Sequence, residues 1–158
     1  MSVQTTETEH ALALKLWVVL SRAQVAIEAH AAAQVARHGL TLTEFGIMEA
    51  LFHRGPMLLG EVQRRILVSS GGITYLVDRL ERKGLVERRE CPEDRRARYA
   101  ALTPRGETLI AEIFPEHARA LEHALAGLDE AEKETAARLL RTLGRYAADT
   151  KPLAPDQG

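Results

Sequence analysis

"SSGGITYLVDRLERKGLVERR", residues 69–89, decides how this chain is read. From Ile73 onward its apolar residues return at helical spacing. At about 100° per residue, Ile73, Leu76, Val77 and Leu80 share one face, the core face. Gly71, Tyr75, Asp78 and Arg82 lie opposite, with Thr74 and Arg79 on the flanks. Val68-Ser69-Ser70 reads as a turn in which Ser69 or Ser70 is the N-cap, and Lys83-Gly84 closes the helix with Gly84 at the C′ position. Glycine is a poor helix former, so a pair at the helix start needs a reason. A side chain at Gly71 or Gly72 would hold this turn away from a phosphate backbone. Without one, amides at the positive end of the helix dipole are open to a phosphate, and Ser69 and Ser70 add hydroxyl donors. Taken alone, two glycines fit a softened helix start with no ligand better.

The flanking segments settle the context. Leu85 to Glu90 and Arg98 to Leu102 are short strand segments joined by Cys91 to Ala97, with Pro92 suited to a turn. They predict a two-stranded hairpin with a basic tip. Thr103 caps a following helix that carries Pro104 in its first turn, and Pro115 is expected to kink or interrupt it. Asp129 followed by Glu132 opens a last amphipathic helix, with Leu139, Leu140, Leu143 and Tyr146 inward. Upstream, Leu58 to Ile66 forms a short helix with Leu59, Val62 and Ile66 inward. Thr41 and Glu44 have the spacing of a capping box, opening a helix through Phe45, Ile47, Met48, Leu51 and Phe52 that Gly55-Pro56 ends. His10 to His38 is a long alanine-rich helix with the stripe Leu12, Leu16, Val19, Ala23, Ile27 and Ala31. Such a helix packs against another chain or a large partner surface.

Three short helices followed by a hairpin make a winged helix-turn-helix. The expected fold is mainly α with a small β-hairpin wing, in one compact chain. Residues 10–38 and 104–149 would be N- and C-terminal dimerisation helices, 41–103 the DNA-binding region and 150–158 a loose tail.

Composition agrees. A chain of 158 residues, 46% hydrophobic and 27% charged, is a globular domain able to bury a core. Its apolar runs are short, Leu16 to Leu20 for example, so no membrane span is expected. Met1 to His10 lacks the pattern of a secretory signal, and the lone Cys91 excludes an internal disulfide, which together predict a cytoplasmic protein. Net charge is −1, but it is unevenly spread. Residues 61–105 carry a balance of +4 and residues 106–135 a balance of −6, which suggests one face for an anionic polymer and another for something else.

On the helix of the opening stretch, Thr74, Tyr75, Arg79 and Arg82 project away from the core and are candidates for contacts in a major groove. Thr74 and Tyr75 are the expected base contacts. Asp78 fits better as a solvated ion-pair residue, and Arg79 as either its partner or a reader. At the hairpin tip, Asp94-Arg95-Arg96 offers an arginine for a minor groove, with Asp94 placed to brace one guanidinium. A solvated loop carries the same tripeptide, but its place after such a helix favours contact with DNA.

These stretches, with "CPEDRRARYAALTPRGETL" (91–109), resemble the MarR family of bacterial transcriptional regulators over nearly the whole chain. The family's DxR pattern falls on Asp94 and Arg96, and its Leu-Thr-Pro-x-Gly on Leu102 to Gly106. The resemblance implies a homodimer joined through its terminal helices, binding to pseudo-palindromic double-stranded DNA, usually repression, and release by a small aromatic or phenolic effector. It also makes Arg96 the minor-groove arginine and Asp94 its brace. Many members have Arg where this chain has Tyr75, so their base preference does not carry over. "LFHRGPMLLGEVQRRILVSSGGITYLVDRL" (51–80) is similar to the subgroup answering to quinones and phenols.

For an effector, the junction of dimer helices and winged region predicts a crevice lined by Trp17, Phe45, Met48 and His53. For any one of these residues, core packing is the commoner role. Cys91, beside Arg88, Arg89, Arg95 and Arg96, is a rival electrophile sensor, or else a passive small residue at a strand end. Enzyme readings fare poorly: no GxSxG, P-loop or GxGxxG occurs, and the six histidines form no HxxxH pair. No cofactor and no metal site are expected. The alternatives are an architectural DNA-binding protein without an effector, or a ligand-binding protein that has lost DNA binding.

Overall fold

The computed structural model describes residues 2–66 and 70–153. Contacts divide the chain into two compact units, residues 1–121 and 122–158.

In the first unit, α1 (Ser2–Ala36) begins eight residues before His10, because nothing between Ser2 and Glu9 is Gly or Pro. It ends in a Schellman turn. Gly39, at φ 72°, donates to the Ala36 carbonyl (3.0 Å) while Leu40 donates to Val35 (3.3 Å). The capping box is present on α2 (Leu42–Arg54). Thr41 Oγ1 accepts the Glu44 amide at 3.1 Å, and the Glu44 carboxylate accepts the Thr41 amide at 2.8 Å. Gly55, at φ 76°, stops α2 as expected.

Then follow β1 (Met57–Leu58), α3 (Leu59–Ile66), α4 (Ser70–Arg82), β2 (Val86–Glu90), β3 (Arg98–Leu102) and α5 (Pro104–Ala124). The sheet has three antiparallel strands in the order β1-β3-β2, where the sequence predicted two. β2 and β3 pair from Val86↔Leu102 to Glu90↔Arg98, and β1 adds Met57↔Ala100 and Leu58↔Tyr99 on the other edge. Two residues are too few to show alternation, so β1 exists only through its partner.

Ile73, Val77 and Leu80 of α4 are buried, with Leu76 half-buried, on Phe45, Ile47, Met48 and Leu51 of α2, Val62 of α3, and Ile110 and Ile113 of α5. Ser70 is the first helical residue of α4 rather than its cap. Val68, Ser69 and the turn and cap expected there lie outside the described residues. Pro115 does not interrupt α5. The Ala111 carbonyl that it deprives of a donor belongs to an exposed residue, where water can serve it.

The end of α4 is joined to the start of α5. Gly84 (φ 71°) and Leu85 donate to Glu81 (2.8 Å) and Leu80 (3.0 Å), a second Schellman turn. Thr103 Oγ1 donates to the Gly84 carbonyl at 2.7 Å and accepts the Gly106 amide at 3.1 Å, capping α5 as expected. Thr103 N–H donates to the Leu85 carbonyl (3.1 Å). At Gly106 a Cβ would stand 2.0 Å from that same oxygen, so Leu-Thr-Pro-x-Gly requires its glycine for close approach.

In the second unit, α6 (Glu130–Asp149) opens at Asp129 as expected, with a capping box. Asp129 Oδ1 accepts the Glu132 amide at 2.8 Å, and the Glu132 carboxylate accepts the Asp129 amide at 2.9 Å. Leu139, Leu140, Leu143 and Tyr146, expected inward, are exposed: no described residue covers them. Leu12, Leu16 and Val19 of α1 are exposed too. The expectation that no segment could span a membrane is also corrected. His10–Ala36 is long and apolar enough by length and composition, with mean hydropathy 1.3, since alanine keeps a long helix apolar without any long run of large residues.

Gly106→Ala should cost about 3 kcal/mol, the upper range for overpacking, because the atom in the way is backbone and cannot rotate aside. Urea denaturation measures it, and stability equal to the parent's would contradict the close approach.

Candidate nucleic-acid interface

Charged residues on α4 find partners far away in sequence. The Glu44 carboxylate is fully buried, and three cationic or amide donors converge on it. Arg79 Nε donates at 3.0 Å, Lys83 Nζ at 2.9 and 3.0 Å, and the Thr41 amide completes the set. Burial pushes this carboxyl up. Hydrogen bonds from Lys83 and Thr41 and the charges of Lys83 and Arg79 outweigh it, holding the group below the usual carboxylate range. Lys83 also donates to the Gly39 carbonyl at 2.8 Å. Arg79 therefore pairs with Glu44 and not with Asp78, and its Nη1 donates to the Tyr75 hydroxyl at 3.3 Å.

Asp78 and Glu81 turn toward the sheet instead. Arg88 of β2 binds Asp78 at 2.8 Å and also pairs with Glu81, whose carboxylate takes the Arg88 amide at 2.9 Å. The two acids of α4 are thus neutralised at its junction with the wing. Gly71, Thr74, Tyr75 and Arg82 are left exposed on its outer face.

Between β2 and β3, Arg95 and Arg96 are exposed at the tip. Asp94 was expected to brace a guanidinium. Its Oδ1 accepts the Arg96 backbone amide at 2.9 Å, and its carbonyl accepts the Ala97 amide at 3.0 Å. The brace therefore acts on the loop, leaving both arginine side chains pointing out from a fixed turn. Arg98 Nη1 adds bonds to the carbonyls of Arg95 (2.9 Å) and Ala97 (3.2 Å).

A profile of the MarR family matches residues 38–97. The HTH-type transcriptional regulator MhqR of Bacillus subtilis (strain 168) is 41% identical over 134 residues, which are 85% of this chain and 92% of that protein. The chain belongs to the MarR family. At that level it is a DNA-binding transcriptional regulator. Among solved structures, Bordetella bronchiseptica BpsR, whose DNA binding is regulated by 6-hydroxynicotinic acid, superposes with a TM-score of 0.76 at 25% identity. The match covers 82% of this chain and 98% of that one. Sco3205 from Streptomyces coelicolor, solved in complex with DNA, shares the fold with a TM-score of 0.79 at 23% identity over 94% and 91% of the chains.

The winged region and the flanking helices meet at α1, α2 and α5, but the four residues expected to line one crevice do not converge. Phe45 and Met48 are core residues, Trp17 is exposed on α1, and His53 stands edge-on to Phe52 (5.3 Å) and Phe114 (5.1 Å). A groove of about 500 Å³ lies instead between α1 and α5, lined by Ala33, Gln34, Arg37, Glu116, Arg119 and Ala120. Beside it runs a polar network absent from the sequence reading. His117 Nδ1 meets Gln34 Oε1 at 3.2 Å, while Gln34 Nε2 (3.4 Å) and His38 Nε2 (3.1 Å) both meet Glu116 Oε2. The signal that was available was polar residues at core-facing positions of two apolar helices. Cys91 is buried, with its thiol against the Tyr99 hydroxyl, whose pKa is raised chiefly by that contact. The exposure that attack by an electrophile requires is lacking in this arrangement.

Burial holds the His117 imidazole below its ordinary value, with a small opposing push from the Glu49 charge. The unfolded chain therefore takes up a proton first. Stability is full above the unfolded value of about 6.5 and falls as the pH drops below it toward the depressed folded value. The melting temperature should decline as the pH falls below about 6.5, and His117→Gln should flatten that decline. An equal slope in the variant would exonerate His117.

Proposed function

We propose that the chain is a homodimeric repressor. It would hold a pseudo-palindromic duplex with α4 in the major groove and the Arg95-Arg96 tip in the minor groove, and let go when a small aromatic or phenolic effector binds. One observation carries this reading: α4 turns its acids away onto Arg88 and presents Thr74, Tyr75 and Arg82 outward, beside a braced turn with two exposed arginines. Among the described residues, nothing lies within 4 Å of a Cβ built on Gly71, so packing does not demand glycine there. Close approach of a phosphate gives a reason for it.

Exposed apolar area supports the homodimer. Leu12, Leu16, Trp17 and Val19 on α1 and Leu139, Leu140, Leu143 and Tyr146 on α6 are 40–72% exposed, which a second copy would cover. The effector reading is supported by BpsR and its hydroxylated aromatic acid. In this chain Gln34, Arg37 and Arg119 of the α1–α5 groove are donors suited to a carboxylate or phenolate. Release then requires that the effector bind more tightly to an arrangement in which the two recognition helices no longer fit their half-sites.

Selection from a random duplex pool should return two half-sites about 10 bp apart, centre to centre. Arg96→Ala should weaken binding and reduce the salt slope by about one unit while leaving the selected sequence unchanged. An unaltered slope would remove Arg96 from the interface. Deleting residues 130–158 should give monomers or aggregates without operator affinity. A monodisperse monomer that still binds tightly would refute the dimer.

A further inference from the structure

The bonds around Arg79 give the exposed tyrosine of α4 a defined polarity. The guanidinium is a planar fork that only donates. One prong, Nε, is spent at 3.0 Å on Glu44, a carboxylate with no exposure at all, so the fork is anchored to the core. A second prong, Nη1, donates at 3.3 Å to the Tyr75 hydroxyl, with the guanidinium carbon 5.7 Å from the ring centroid. Tyr75 is 55% exposed, and its one hydroxyl proton is what remains to offer outward.

We infer that Arg79 is a positioning residue for base recognition, occupying the acceptor side of the Tyr75 hydroxyl and committing it to donate, so that Tyr75 reads an acceptor on a base edge and rejects cytosine. In the major groove guanine shows N7 and O6, adenine N7 and thymine O4, all acceptors, while cytosine shows only its amino donor. Facing a cytosine, the Tyr75 proton would meet a proton. The hydroxyl could turn only by giving up the bond from Arg79. Swinging the Arg79 guanidinium out toward a base would take Nε from a buried carboxylate and Nη1 from Tyr75, so its part is to hold Tyr75. The inference rests on α4 being the helix that reads DNA and adds which residue discriminates, against what, and through whom.

The test is selection from a random duplex pool with the full-length parent, Tyr75→Phe, Arg79→Lys and Arg79→Gln, followed by titration of duplexes differing at single positions. In the parent, one position of each half-site should exclude cytosine by about tenfold, the scale of one hydrogen bond lost to a base. Tyr75→Phe, a change on the surface that leaves the core intact, should level that position and no other. Arg79→Lys keeps a cation for Glu44 but lacks the fork, so the melting temperature should hold while the same position levels. Arg79→Gln should leave the salt slope unchanged, since Arg79 touches no phosphate.

Cytosine excluded as strongly by Tyr75→Phe as by the parent would overturn the inference. So would Tyr75→Phe and Arg79→Lys altering different positions, Tyr75→Phe weakening all sequences equally as a phosphate contact does, or a slope lowered by about one unit in Arg79→Gln. A parent that retains no duplex refutes the DNA reading itself, whereas a parent that selects half-sites indifferent to Tyr75 refutes only this step.

Discussion

A single buried carboxylate fixes the position of α4. Glu44 has no solvent exposure, and an ion stripped of water costs several kcal/mol unless its lone pairs are filled. Four hydrogen bonds fill them, from Thr41 at the start of α2, from Arg79, and two from Lys83 of α4. Lys83 also reaches the Gly39 carbonyl in the turn that closes α1. One side chain thereby sets the start of α2, the end of α1 and the seating of α4. Apolar packing of Ile73, Val77 and Leu80 would hold α4 to the core but tolerates small slips and rotations. Ion pairs of fixed geometry at Arg79 and Lys83 do not, since any shift leaves a buried charge short of donors.

Much of the fold was legible because its signals are local. Both capping boxes and the glycines that end α2 and α4 depend on residues within a few positions of each other, and β2 pairs with β3 across one short loop. What was not legible depends on partners distant in sequence or outside the chain. β1 has two residues and no pattern of its own, and only the far edge of β3 makes it a strand. Leu139, Leu140, Leu143 and Tyr146 follow an apolar stripe that states a need for cover without stating what covers it. Pro115 was expected to break α5, but a carbonyl freed on an exposed face costs little, and the helix continues.

The site divides the same way. The outer face of α4 and the basic tip were found from periodicity and from the turn. The partners of Arg79 and Asp78 were not, because Glu44 lies 35 residues from Arg79 and Arg88 sits on a strand whose facing the sequence leaves open. One clue was present. Glu44, at the third position of the capping box, falls among Phe45, Ile47 and Met48, so a carboxylate was aimed at the core and needed cations from another element. Asp94 shows the opposite error. A short acid beside two arginines suggests an ion pair, but at that spacing the backbone amide two residues on is the nearer donor.

The polar network at α1 and α5 stands next to the Glu44 node, which bears on how a proposed effector would be felt. The His117 ring packs on Phe45 at 4.4 Å, and Phe45 follows Glu44 in α2. Gln34 and Glu116, which hold His117 and His38, also line the groove with Arg37 and Arg119. An anion seated among those arginines would compete with Glu116 for them and loosen its hold on Gln34 and His38. Burial disfavours the charged form of His117, and the ring is held by its bond to Gln34 and its contact with Phe45. Displacing it presses on the first turn of α2, where the carboxylate that orients Arg79 begins. A close-packed interior transmits such a shift rather than absorbing it. The packed route from this network to α4 is short: His117 of α5 to Phe45, one residue along α2, then across an ion pair to α4.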